Sequence, residues 1–258
     1  MILDVSTYVG HWPFRPLHAT TLEQIAAIAE HAGVTHIITS HLHGAFYQDC
    51  QKANEELYEE VKAYAGGVNV LPFAVINPTY IGWEKDCNIC LEQFGFQGVE
   101  IMPHYHHYAW DDPTLVSFYA YCGERNIPVR INNSFENTRQ RNLHDYPLEC
   151  TSEIPKLLLT GKKTLTIVTQ VIPATIRNMG TLFGEHDHVY FDISRISFMT
   201  SGPFLSKLNG IPLQRYCFGS LNPFAYVECA LNRVYYAEIT EHEKEGLLFG
   251  ELAAKLGL

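Results

Sequence analysis

Two shortages narrow what this chain of 258 residues can be: it has little basic charge and no long apolar run. Eighteen Lys and Arg stand against 28 Asp and Glu, a formal net charge of −10, and no basic stripe interrupts the acidic balance. Nucleic acid and anionic membrane surfaces recruit clustered cations, so neither is an expected partner. No apolar stretch reaches the ~18 residues that a membrane helix requires. Cysteine is sparse, odd in number at seven, and scattered. Only Cys87 and Cys90 stand at C-x-x-C spacing, and a zinc ribbon needs a second such pair, so both are expected to pack inside a helix. Scattered thiols, together with no signal-peptide pattern ahead of Ile2, lead us to expect a cytoplasmic protein. Internal repeats, low-complexity tracts and linkers are also missing, so 1–258 reads as a single domain.

What is present is an alternation. Short β-branched or apolar runs at Ile2–Ser6, His36–Ser40, Val70–Ile76, Gly98–Met102, Pro128–Asn132, Leu165–Gln170, Val189–Ile193 and Tyr216–Ser220 predict eight strands. Helical patterns separate them, at Leu22–Ala32, Gln51–Ala65, Trp83–Phe94, Pro113–Arg125, Glu153–Thr160, Ile172–Phe183 and Gly202–Leu208, and Glu241–Leu256 closes the chain. Eight strand–helix units without a hairpin signal predict α/β architecture, a single (β/α)8 TIM barrel of ordinary size. Capping-box patterns at Thr20–Glu23 and Thr240–Glu243, an Asp112-Pro113 helix start, and Gly33 and Gly123 at helix ends mark the boundaries. Chemistry in such barrels sits at the C-terminal strand ends. Those ends carry Ser6 and Tyr8, His41 and His43, Asn77, Glu100 with His104 and His106, Arg130 and Asn132, Gln170, Asp192 and Arg195, then Ser220 and Asn222.

The order of several motifs along the chain resembles the amidohydrolase-related family of the metal-dependent hydrolase superfamily. These are Leu3-Asp4 to Gly10 with Trp12-Pro-Phe-Arg15, Val75-Ile-Asn-Pro78, Gly98-Val-Glu-Ile-x-Pro103 leading to Tyr105-His106, Tyr190-Phe-Asp-Ile-Ser194, Phe218-Gly-Ser220 with Pro223-Phe224, and the tail from Gly250. The resemblance implies a hydrolase fold, with lactone hydrolases and a semialdehyde decarboxylase type among the relatives. It also implies a metal site, and there this sequence departs. The family's His-x-His after strand one falls at Ser6-Thr7-Tyr8, its strand-five and strand-six histidines at Asn132 and Gln170, and its strand-eight aspartate at Leu221. Zinc requires imidazole, thiolate or carboxylate donors, so we expect the inherited metal site to be lost and no cofactor to be bound there.

Glu100 lies in an otherwise apolar strand and, once inside a barrel, must be paired or protonated. It is the candidate general base, with His106 and His104 beside it as further catalytic candidates; an ion pair with Arg130 is the structural alternative. Arg130, Arg139 and Arg195 suit a carboxylate, and Tyr8, His41 and Asn132 complete the expected substrate-binding set. The expected function is therefore metal-independent hydrolysis of a small, anionic, carboxylated substrate, a lactone or a carbon–carbon bond. Two alternatives stay open: a catalytically inactive barrel that binds a small molecule, and a hydrolase with one Zn relocated to the His41/His43/His104/His106 rim. Self-association into a homo-oligomer also stays open.

Overall fold

The computed structural model describes residues 1–110, 112–136, 164–171, 186–196 and 212–258. Eight strands pair in parallel and in chain order: β1 (Leu3–Val9), β2 (His36–His41), β3 (Asn69–Val75), β4 (Gly98–Ile101), β5 (Val129–Asn132), β6 (Thr166–Thr169), β7 (Val189–Asp192) and β8 (Tyr216–Cys217). The chain just after β8 returns to β1. Val5 N donates to Phe218 O and Tyr8 N to Asn222 O, both at 3.0 Å, and Thr7 bridges Asn222 in parallel. All eight expected strands are present, so the alternation in sequence did encode the barrel.

The helices follow the same reading with local differences. They are α1 (Leu22–His31), α2 (Cys50–Ala63), α3 (Trp83–Asn88, continued by a π turn over Ile89–Gln93), the single turn α4 (Pro103–His106), α5 (Pro113–Glu124), α6 (Val227–Tyr235), α7 (Glu241–Phe249) and α8 (Glu251–Lys255). The helices expected at 153–160, 172–183 and 202–208 lie outside the described residues. The N-cap of α1 is Thr21, reciprocally bonded with Gln24, one residue later than expected, whereas Thr240 and Glu243 form the expected capping box. Gly123 lies inside α5 and not at its cap; Asn126, at φ +55°, turns the chain instead, as its short polar side chain permits. Helix α6 was not expected. Its buried Val227, Ala230, Leu231 and Val234 nonetheless follow the i, i+3, i+4, i+7 spacing of an amphipathic helix.

Three layers fill the barrel. At the bottom, Leu3, Val5, Ile38, Phe73, Ile167 and Cys217 pack with Leu252 and Ala253 of α8. At the top, Tyr8, Trp12, Met102, Tyr105, Phe135 and Leu221 form a second apolar cluster. Between them lies a polar layer. The largest cluster, outside the strands, holds the outward residues Val99, Ile101, Val129 and Ile131 against helix residues such as Leu115 and Phe118.

Candidate functional site

Strand parity determines what enters the polar layer, because alternate side chains face opposite sides of a strand. Val99 and Ile101 face the helices, so Glu100 and Met102 face inward. Glu100 is fully buried and pairs with its cross-strand neighbour Arg130, Nη2 to Oε2 at 2.8 Å. The same guanidinium donates to Ser40 Oγ at 2.8 Å, and to the carbonyls of Val5 and Ile38 at 2.8 and 3.0 Å. It also stands 4.7 Å from the centre of the Tyr8 ring. Burial works against the charged Arg130, but Glu100 and Tyr8 outweigh it and raise its pKa. This fork is engaged by the protein itself.

The Tyr8 hydroxyl is the hub of the layer. It donates to Glu100 Oε1 at 3.2 Å and accepts from Asn132 Nδ2 and Gln170 Nε2, both at 3.0 Å. Asn132 Nδ2 also reaches Glu100 Oε1 at 3.3 Å, and Gln170 Nε2 donates to Ser6 Oγ at 2.9 Å. Burial pushes the Tyr8 hydroxyl well up, and Arg130 opposes the shift. Two carboxyls flank this hub. Asp192 Oδ1 accepts from Gln170 N at 2.8 Å, while its Oδ2 finds no hydrogen-bond partner among the described residues; burial, opposed by Ser194, raises its pKa to about 6. Asp4 Oδ1 accepts from Ser6 N and Ser220 N, and burial raises this group too. Gly219 is required here, since a Cβ would stand 2.6 Å from Asp192 Oδ2.

Do these residues fit the metal that the family resemblance implies? Four of the five corresponding positions, Ser6, Tyr8, Asn132 and Gln170, are hydrogen-bonded into this hub, and Leu221 packs in the apolar layer with Tyr8. They offer two hydroxyls, an isobutyl group and two amides whose N–H groups, not oxygens, point at the shared centre. Hydrogen-bond donors facing inward repel a cation, and none of the five is a strong zinc donor. The set does not fit a divalent metal. Gln170 and Leu221 hold positive φ values of 55° and 62°, a strained region for non-glycine residues.

Above the hub, aromatic rings crowd the C-terminal end. Trp12 stands edge-on to Tyr105, Phe135 and Phe224 with centroids 5.0 to 5.9 Å apart, and the Tyr105 hydroxyl accepts from Phe135 N. Arg15 lies over Phe224 and pairs with Glu136 at 3.0 Å, and Arg195 donates to Ser134 O at 3.2 Å. His106, in α4, donates Nε2 to Gly44 O at 2.8 Å; burial lowers its pKa to about 4. His104 is buried in the same turn. Arg139 lies outside the described residues.

His41 takes another direction. Its neighbour Ser40 faces the barrel interior, so His41 faces the helix layer, where Nε2 meets Glu56 and Glu60 of α2 at 3.4 and 3.8 Å. His43 Nδ1 joins Glu56 at 2.7 Å. The four-histidine rim expected from sequence therefore does not come together. Among the described residues, His41 and His43 group with Glu56, without His104 or His106. The sequence reading missed Glu56 and Glu60, although their i, i+4 spacing on the helix that follows β2 places both on the face that covers that strand.

No curated protein matches this sequence. Solved structures match it closely in fold. A 5-carboxyvanillate decarboxylase from Sphingomonas paucimobilis superimposes with a TM-score of 0.74 at 13% identity, over 100% of this chain and 99% of that one. A dihydroxybenzoic acid decarboxylase from Polaromonas sp. JS666, with bound manganese and the inhibitor 2-nitroresorcinol, gives 0.73 at 13% identity, over 100% and 97%. A 4-oxalomesaconate hydratase from Rhodopseudomonas palustris gives 0.67 at 14% identity, over 100% and 96%. The amidohydrolase family model matches residues 9–155, more than half of the chain. Fold, motif order and this match agree: the chain belongs to the amidohydrolase family.

Proposed function

We propose that this chain is a metal-independent enzyme of the amidohydrolase family that hydrolyses a small carboxylated substrate, a lactone or a carbon–carbon bond, at the C-terminal end of its barrel. The observation that carries the reading is the Tyr8 hydroxyl, bonded to Glu100 at the centre of the positions where the resemblance puts metal ligands. Glu100 is the base that activates water or removes a substrate proton, and the Tyr8 hydroxyl, which burial keeps protonated and the amides of Asn132 and Gln170 hold in place, donates to the oxyanion that forms. A donor fixed in advance where negative charge develops is the usual means of stabilising an oxyanion. Arg195, Arg139 and the aromatic rings above the hub supply the substrate's carboxylate and ring contacts. The decarboxylases and the hydratase of similar fold, whose names specify carboxylated compounds, support that substrate class.

A second reading is favoured by the closure of the hub. Glu100, Arg130 and Tyr8 are fully buried and already bonded to one another, which suits a barrel that binds a small molecule without turning it over. One experiment separates the two. Lactones and aromatic and aliphatic carboxylates are screened by thermal shift, and each binder is then tested for turnover by wild type and Tyr8→Phe. The first reading expects turnover that falls by about 10²-fold or more in the folded variant. Binding with no turnover in either protein establishes the second reading and removes the first.

A further inference from the structure

We propose that the chain carries a divalent-cation site outside the barrel, between the end of β2 and helix α2, with His41, His43 and Glu56 as ligands and Zn2+ as the best-suited ion. The site is separate from the Tyr8 hub: Ser40 enters the barrel and His41, the next residue, leaves it. Three donor atoms, one from each residue, lie within 4.8 Å of one another. His41 is 3% exposed, and its Nε2 faces Glu56 at 3.4 Å and Glu60 at 3.8 Å, beyond good hydrogen-bond length for either. Tetrahedral zinc with bonds of about 2.0–2.1 Å separates its ligands by about 3.3 Å, so the open spacing between His41 and Glu56 is that of a ligand pair.

The surroundings fix the donors in place. Gly10, at φ +103°, packs so close to the His41 ring that a Cβ there would stand 2.7 Å from Cε1, which holds the imidazole against the sheet. Glu56 is anchored by the Tyr47 hydroxyl at 2.9 Å through Oε1, leaving Oε2 between the two histidines. Glu60, one turn further along α2, binds the Leu22 amide and supplies negative charge at 3.8 Å from His41. Three contacts must yield on binding. The first is the 3.0 Å bond between the Tyr47 hydroxyl and His43 Nδ1, because a metal-bound ring nitrogen has no lone pair left for it. His43 Nδ1 now lies 2.7 Å from Glu56 and must open toward the ligand spacing. His41 Nδ1 accepts a long 3.3 Å bond from His43 N, and this gives way because a ring ligated through Nε2 keeps its proton on Nδ1. Two histidines and one carboxylate leave a fourth position for water, so the ion clamps α2 to the end of β2.

The test is isothermal titration calorimetry with ZnCl2 on the full chain after chelator treatment and dialysis, with thermal unfolding in parallel. Wild type should bind one equivalent of Zn2+ and unfold at a higher temperature when it is bound. His43→Ala and Glu56→Gln should each weaken binding at least tenfold and cancel the thermal shift, while the surface change His242→Ala leaves both unaltered. His43 and Glu56 have side chains 24% and 41% exposed, so both variants are expected to fold, which circular dichroism checks. No binding at micromolar Zn2+, or binding that survives both variants, overturns the site. Absence of Zn2+ binding leaves the Tyr8 reading untouched, because turnover tests that reading; binding that survives both variants bears on it only if the hub residues are the ligands, which the anomalous signal of bound Zn2+ locates.

Discussion

Asp192 offers the clearest quantitative consequence of the buried polar layer. Its carboxyl is fully buried, one oxygen has no hydrogen-bond partner among the described residues, and burial raises its pKa from the ordinary 3.8 to about 6. The sign follows from the direction of the shift. A raised pKa means that the folded state favours the protonated acid, so this contribution to stability is complete below pH 3.8 and is lost as pH rises through about 6. At 1.36 kcal/mol per pH unit, a gap of about 2 units makes the loss about 3 kcal/mol by pH 8. Asp192→Asn removes the titration and keeps an oxygen for the Gln170 amide. Urea unfolding of both proteins from pH 4 to pH 8 should show the variant gaining on wild type by about 2 kcal/mol, nearly all of it between pH 4 and 7. A difference that does not change with pH, or a variant that loses ground as pH rises, would refute the reasoning.

Three further outcomes are expected. Glu100→Gln leaves the buried Arg130 without its counter-charge and should cost about 3–5 kcal/mol of stability at pH 7, measured by urea unfolding; a loss under about 1 kcal/mol contradicts the pairing. Tyr8→Phe strips Glu100 Oε1, Asn132 and Gln170 of a shared partner and should cost about 1–3 kcal/mol. Of the six described cysteines only Cys229 is exposed, while burial lifts the Cys50 and Cys90 thiols to about 12. A thiol reagent applied to native protein should therefore modify Cys229 fast, and rapid labelling of Cys50 or Cys90 would contradict the packing.

Much of this was legible in the sequence because it depends on short-range pattern. Eight apolar runs alternating with helical spacing encode eight parallel strands, and the parity of Val99-Glu-Ile-Met102 alone turns Glu100 inward beside Arg130. The site was harder to read. That His41 and His43 face one side follows from spacing, but which side depends on β2 register, and Ser40 rather than His41 enters the barrel. Tyr8 as a hub depends on four strands delivering Glu100, Asn132, Gln170 and Tyr8 to one point, which no local window contains. The α1 cap moved by one residue because Thr20 and Thr21 compete for the same role, and the two candidate partners, Glu23 and Gln24, are adjacent.

The central claim is that a Tyr8-centred hydrogen-bond hub, not a metal, occupies the position where related barrels of this family are expected to hold an ion. Anomalous diffraction from crystals soaked in Zn2+ or Mn2+ tests it most directly. We expect no anomalous peak within bonding distance of Ser6, Tyr8, Asn132, Gln170 or Leu221, and Tyr8 Oη within hydrogen-bond distance of Glu100, Asn132 and Gln170. A peak ligated by any of those five residues, with the Tyr8 hydroxyl displaced from Glu100, would contradict the account.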